Sequence, residues 1–498
     1  MKLPRASGIL LHLTSLPGPH GSGDLGASAH DFVEWLAAAG QKLWQILPLG
    51  GIGAGHSPYM SSSAFAGNLL LIDLADLQGQ GWLDAVDLVP LPEFSDARVN
   101  FEASIPWRRR HLEEAARQFQ ARATASQREA LADFSQTQAD WLADYALFMA
   151  LSEAHAGRDW CDWPPSLVQR EPQALRAARE RYAPNIAFWT FCQWCFFTQW
   201  QRLKAHANRR GIRVVGDAPI FIAYHSAEVW ARPELFELDA RGRASVVAGV
   251  PPDYFSATGQ RWGNPLYRWP THAAEGYAWW VNRVRRIFEL VDVVRIDHFR
   301  GFADYWEIPA SEPTAIHGRW VAGPGAALFE AIRAELGDLP IIAEDLGLIT
   351  PAVTALRQQF KLPGMCILHF AFGGANDNTY LPHNYASNTV VYTGTHDNNT
   401  TQGWWGEAPE ALRQHVRGYL ALQPQDEPAI HWKLIATACA SVADTAIHPL
   451  QDVLGLGADC RMNMPGVGEG YWEWRFTWAQ VTPTHAQRLG QLCDWYQR

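Results

Sequence analysis

A chain of 498 residues, 48% of them hydrophobic and 18% charged, has a globular composition. It exceeds the roughly 250 to 300 residues at which one core stops growing, so a large catalytic unit with insertions is expected. The 41 Lys and Arg against 51 Asp and Glu leave a formal net charge of −10, which argues against a nucleic-acid partner. No run of roughly 18 apolar residues is present and the N-terminus lacks a signal-type apolar stretch, so no membrane association and a cytoplasmic location are expected.

Residues 8–13 and 42–47 read as the first two strands, joined by a helix over 32–39 with Gly40 as its C-cap. From about 76 to 204 strand-like runs vanish, and Arg, Glu, Ala, Gln and aromatics recur at helical spacing over 112–131 and 141–152. This predicts a mostly helical insertion at 76–204 in a catalytic unit formed by 1–75 and 205–498. Strand-like runs return at 212–217, 293–297, 341–345, 365–370, 390–397 and 459–464, making eight candidates mostly followed by helical stretches. The expected fold is therefore an α/β protein, a (β/α)8 TIM barrel, whose units average roughly 30 residues. Residues 245–270, rich in Pro, Gly and aromatics, read as a lid loop over the barrel mouth.

The seven Cys are scattered, and Cys192 and Cys195 have no second pair to complete a zinc site, so they read as packed thiols. No GxGxxG follows a strand, and no tightly bound cofactor or metal is expected. The 24 Trp and 14 Tyr suit sugar binding, since flat aromatic faces pack on the apolar faces of sugar rings. The clusters Trp279-Trp280, Trp404-Trp405 and Trp472-Glu473-Trp474 are expected to present some of their rings outward.

Four apolar runs end on acids: Asp217, Asp297, Glu344 and Asp397. Carboxylates where buried parallel strands run out are the usual placement of chemistry in barrels. If Asp297, Glu344 and Asp397 converge, they supply a nucleophile, a proton donor and a further anion for a retaining glycosidase-type reaction. Arg295, two residues before Asp297 and on the same strand face, favours an anionic nucleophile. Glu344, near other anions and poorly hydrated, suits the general acid and base. Asp397 would bind sugar hydroxyls and stabilise charge, with His396 and His298 as further donors. Asp345 reads as a helix-cap or supporting residue, and His12, His56 and His369 as structural or rim residues.

Longer blocks carry a resemblance. They are Gly55-His56-Ser57-Pro58-Tyr59 through Ser63-Ala64-Phe65-Ala66-Gly67-Asn68, Gly216-Asp217-Ala218-Pro219-Ile220-Phe221, Pro251-Pro252-Asp253-Tyr254-Phe255 through Trp262-Gly263-Asn264-Pro265-Leu266-Tyr267, Arg295-Ile296-Asp297-His298-Phe299-Arg300-Gly301, Glu344-Asp345-Leu346-Gly347 and Thr395-His396-Asp397-Asn398. In this order, over most of the chain, they resemble the amylomaltases, the 4-α-glucanotransferases also called disproportionating enzymes, of the shorter bacterial type.

The resemblance implies an α-amylase-clan barrel in which Asp297 forms the covalent glucosyl intermediate, Glu344 is the acid/base and Asp397 stabilises the transition state. It implies that Tyr59 stacks on the sugar, that Arg295, Asp217, His298 and His396 surround it, and that Asp253 and Tyr254 lie on a loop partly covering the cleft. The same blocks offer Ser57, Trp262 and Asn264 as further substrate-binding residues. Tyr224-His225 stands where many members carry an acid. The implied partners are α-1,4-glucan donors and acceptors: maltooligosaccharides, amylose, glycogen and, as acceptor, glucose. Between monomer and dimer the sequence does not choose. Competing readings are an α-glucan hydrolase with the same three acids, a metal-dependent sugar isomerase or lyase, and a noncatalytic glucan-binding protein.

Overall fold

The computed structural model describes residues 3–252 and 256–498. Its strands in chain order are β1 Ala6–Leu10, β2 Leu43–Gln45, β3 Arg213–Pro219, β4 Val246–Val250, β5 Gln260–Pro265, β6 Val293–Asp297, β7 Asp304–Pro309, β8 Arg319–Ala322, β9 Ile341–Ala343, β10 Gly364–Ile367, β11 Thr389–Tyr392 and β12 Thr445–Pro449. Eight of them form a parallel sheet in the order β10-β11-β12-β1-β2-β3-β6-β9. Its two ends meet, because the Ala343 N–H donates to Pro363 O at 2.9 Å and the Asp345 carboxylate accepts the Met365 N–H at 2.7 Å. The sheet is thus a (β/α)8 barrel, and its short Val- and Ile-rich strands are buried because helices cover them outside and packed side chains fill the inside.

The eighth strand differs from expectation. Residues 445–449 supply it, whereas 458–460 form a 3-10 turn and 461–464 run irregularly. The true strand carries no acid at its end, closing instead on buried His448 and Pro449, while 459–464 alternates polar and apolar residues without forming a strand.

The helix after β1 spans Ala27–Ala38, and Gly40 at φ +70° lets the Gln41 N–H turn back to Leu36 O at 2.9 Å. Gly216, beside Asp217, is required by close packing: a Cβ there would lie 2.6 Å from Val291 Cγ1. Between β2 and β3 the described residues form helices and turns, chiefly Phe101–Arg122, Ala125–Thr137, Leu142–Ala154, Pro172–Arg181 and Ala183–Arg209. The helix read over 112–131 breaks at Ala123, because Thr124 and Gln127 build a capping box that starts a new one.

A second sheet, antiparallel and ordered β5-β4-β7-β8, stands beyond the barrel strands. Most of 245–270 is therefore a β4-β5 hairpin rather than coil. Asp253 and Tyr254 lie outside the described residues. The tryptophan clusters also differ from expectation: Trp279, Trp280, Trp405, Trp472 and Trp474 are all buried, and Trp404 is half-buried with its ring stacked on His369 at 4.8 Å. Two layers, barrel helices and the helical segment before β3, give adjacent rings separate places to pack, as the 84° angle between Trp279 and Trp280 reflects. Among the described residues no helix is long and apolar enough to cross a membrane.

Candidate active site

The acids converge on the C-terminal face of the barrel. Asp297 is the last residue of β6, Glu344 directly follows β9, Asp397 lies five residues past β11, and Asp217 sits inside β3. Arg295 and Asp297 share a face of β6 as alternation requires. The Arg295 guanidinium is 4% exposed and spans two acids, with Nη1 donating to both Asp217 oxygens at 2.8 and 2.7 Å and Nη2 lying 3.0 Å from Asp297 Oδ1. A fixed cation thus occupies the space between these carboxylates that a metal would need. Among the described residues no cluster of three or more His, Cys, Asp or Glu could hold an ion.

Glu344 is buried, and its two oxygens accept the His298 N–H at 2.7 Å and the Leu346 N–H at 2.9 Å. Burial pushes its carboxyl up to about 7; Arg295 and the two N–H donors oppose that push while Asp297 adds to it. A carboxyl that holds its proton up to about pH 7 therefore stands near an ion-paired carboxylate that is 30% exposed.

Tyr59 joins two more predicted residues. Its hydroxyl donates to Asp217 Oδ2 at 2.8 Å and lies 2.8 Å from His396 Nε2. Since the single phenol hydrogen goes to Asp217, the His396 Nε2–H donates to the phenol oxygen. Burial, then Asp217, raises the phenol well above its ordinary pKa, so it stays a donor. Trp472 closes this group, its ring 5.9 Å from Tyr59 and 6.0 Å from His396. The Ser57 hydroxyl is committed to capping the turn Pro58–Met60, accepting the Tyr59 N–H at 3.3 Å. Downstream, the buried Glu228 carboxylate accepts from Ser63 Oγ at 2.6 Å and from the Ala64 N–H at 3.0 Å, and Gln193 bonds both backbone groups of Gly67. The helical segment thereby holds the loop that presents Tyr59.

Asp397 depends on two residues that the sequence did not single out. Asn463 Nδ2 donates to its Oδ1 at 2.6 Å, and Arg461 donates to its backbone carbonyl. Both lie in the stretch misread as a strand; the polar alternation at Arg461 and Asn463 was the available signal. His396 Nε2 is 3.5 Å from Asp397 Oδ1.

His298 adopts the left-handed region at φ 54°, which turns its N–H toward Glu344. Burial pushes its imidazole down to about 4, leaving it neutral, and among the described residues its Nε2 has no partner. The Trp262 ring meets it edge-on at 4.9 Å. Asn264 is buried and donates to Ile222 O at 2.9 Å, tying β5 to the loop after β3. His225 takes no part in this cluster: it accepts the Trp160 N–H at 3.1 Å and lies 3.2 Å from Ser152 Oγ, joining the helical segment to the barrel. Asp345 bridges β9 and β10 and pairs with Arg357 at 3.0 Å. His369 Nε2 lies 3.0 Å from Thr401 Oγ1, and His56 stacks on Phe101 at 4.3 Å.

The sequence pattern of the 4-alpha-glucanotransferase family matches residues 11–481. The chain is 51% identical to the 4-alpha-glucanotransferase of Thermus thermophilus and 49% identical to that of Synechocystis sp.; the alignments cover 99% of this chain and 99% and 98% of those proteins. Among solved structures it resembles an amylomaltase from Streptococcus agalactiae in complex with acarbose, with a TM-score of 0.96 at 39% identity over 99% of each chain.

Proposed function

The chain belongs to the 4-alpha-glucanotransferase family and is a glycosyltransferase acting on α-1,4-glucans, and from that premise we propose a retaining double displacement through a glycosyl ester of Asp297. Asp297 attacks the anomeric carbon, the glycosidic C–O bond breaks, and Glu344 protonates the departing 4-oxygen. A second glucan then enters, Glu344 takes the proton of its 4-hydroxyl, and that oxygen displaces Asp297 to form the new α-1,4 bond.

The observation that carries this reading is the unequal setting of two acids at neighbouring strand ends. Glu344 is buried with its carboxyl raised to about 7, whereas Asp297 is paired with the Arg295 guanidinium. Asp397, held by Asn463, serves the developing positive charge. Tyr59, Asp217, His396, His298 and Trp262 bind the sugar, His298 through its Nε2, which has no partner among the described residues. Ser57 and Asn264 serve by positioning their neighbours, and Asp253 and Tyr254 remain further substrate-binding candidates on the grounds of the resemblance alone. The acarbose complex of the Streptococcus agalactiae relative supports a glucan-like ligand here.

Transfer prevails over hydrolysis when the acceptor hydroxyl reaches the ester before water does, and the contact of Trp262 with His298 supports the β4-β5 hairpin as the element that excludes water. Incubation with maltotriose tests the reading. Longer and shorter maltooligosaccharides at constant total reducing ends are expected; rising reducing ends with shortening alone would make the protein a hydrolase.

A further inference from the structure

We infer that Trp320 is an outer subsite for the acceptor glucan, an inference that rests on the transferase reading above. Of the 24 tryptophans, all within the described residues, only Trp320 and Trp495 are exposed, at 38% and 69%. Trp495 lies on the last helix, Pro483–Tyr496, whereas Trp320 lies on β8, an edge strand of the four-stranded sheet.

Its ring is built into place. The Arg300 guanidinium covers it at 3.7 Å from the centroid, and Trp306, its partner across β7, meets it at 5.1 Å and 67°. Arg300 is itself held by Asp304 at 2.7 Å and by the Leu348 carbonyl. These partners lead back to the reacting centre, since Arg300 follows Asp297 by three residues and Leu348 follows Glu344 by four. Leu348, whose carbonyl holds Arg300, is itself 69% exposed. A flat ring with one side backed by a cation and a second tryptophan edge-on to it suits the apolar face of a glucose unit.

The position selects the acceptor. Glu344 touches the oxygen that joins the transferred unit to the departing or incoming chain, so that chain passes the Glu344 side of the cleft toward Leu348 and Trp320. β5, whose Trp262 meets His298, and β8 are opposite edges of one four-stranded sheet. Three inter-strand steps separate them by roughly 14 Å. Trp320 therefore meets a sugar several units from the new bond and makes acceptor preference depend on length.

The test uses amylose as donor with isotope-labelled glucose or isotope-labelled maltopentaose as acceptor. Trp320→Ala should raise KM for maltopentaose about fivefold to tenfold relative to KM for glucose. Trp320→Phe should keep most of the length dependence, and Trp495→Ala should leave the ratio unchanged. Should the Ala variant fail to fold, Trp320→Leu, which keeps apolar bulk without a ring, should show the same loss. An unchanged KM ratio in a transferring enzyme, equal rises for both acceptors, or the same loss in Trp495→Ala would overturn the inference. A wild-type enzyme that makes no transfer product would overturn the transferase reading and this inference together.

Discussion

The backbone N–H of His298 donates to Glu344 Oε2 at 2.7 Å, so the residue directly after Asp297 holds the carboxylate of the other strand end. The link costs a non-glycine residue in the left-handed region, a conformation that persists only where surrounding structure imposes it. It couples the spacing of the two acids to one tight turn. In a crystal structure with bound oligosaccharide, their carboxyl groups should lie about 5 to 5.5 Å apart, and the newly formed linkage should be α by NMR. A separation near roughly 9 Å, or a β product, would point to inversion.

The Glu344 carboxyl sets the pH dependence. Burial raises it to about 7, so the protonated acid dominates below that pH and is lost as pH rises through it. The kcat/KM profile should fall on its alkaline side with a midpoint near 7. Glu344→Gln should abolish that limb along with nearly all turnover of unactivated glucans. A rate that stays flat well above pH 7 would remove the assignment.

Tyr59→Phe deletes the donor to Asp217 and the acceptor for His396. Asp217 keeps both bonds from Arg295, so the loss in Tm should be modest, while kcat/KM should fall about 10- to 100-fold, equivalent to about 1.4 to 2.8 kcal/mol. Unchanged kinetics would mean that this link does not shape the site.

The barrel was legible because strands buried on both faces must be largely apolar, which is how β3, β6, β9 and β11 stand out, with an acid inside β3 and acids at or beyond the ends of the other three. β12 escaped because it has no acid to mark it and ends on Pro449. The antiparallel sheet escaped because β4 and β5 flank residues 251–259, whose sequence, with Pro251, Pro252 and Gly259, reads as coil. Arg295 beside Asp297 was readable from a two-residue spacing. Asn463 beside Asp397 was not, since 66 residues of chain separate the partners and only tertiary folding brings them together.

The β4-β5 hairpin carries a separable prediction. Shortening the connection between Val250 and Gln260 should raise hydrolysis relative to transfer, measured as new reducing ends per transfer event, while the acids keep their positions. An unchanged ratio would mean that another element excludes water.

The central claim is the ester on Asp297. Glu344→Gln cannot deprotonate an incoming hydroxyl but can still be glycosylated by a donor whose leaving group needs no protonation. This variant should therefore be incubated with α-maltotriosyl fluoride, and the protein mass and proteolytic peptides measured. A single maltotriosyl adduct on Asp297 is the predicted result; no adduct, or one on Asp397 or Asp217, would contradict the mechanism.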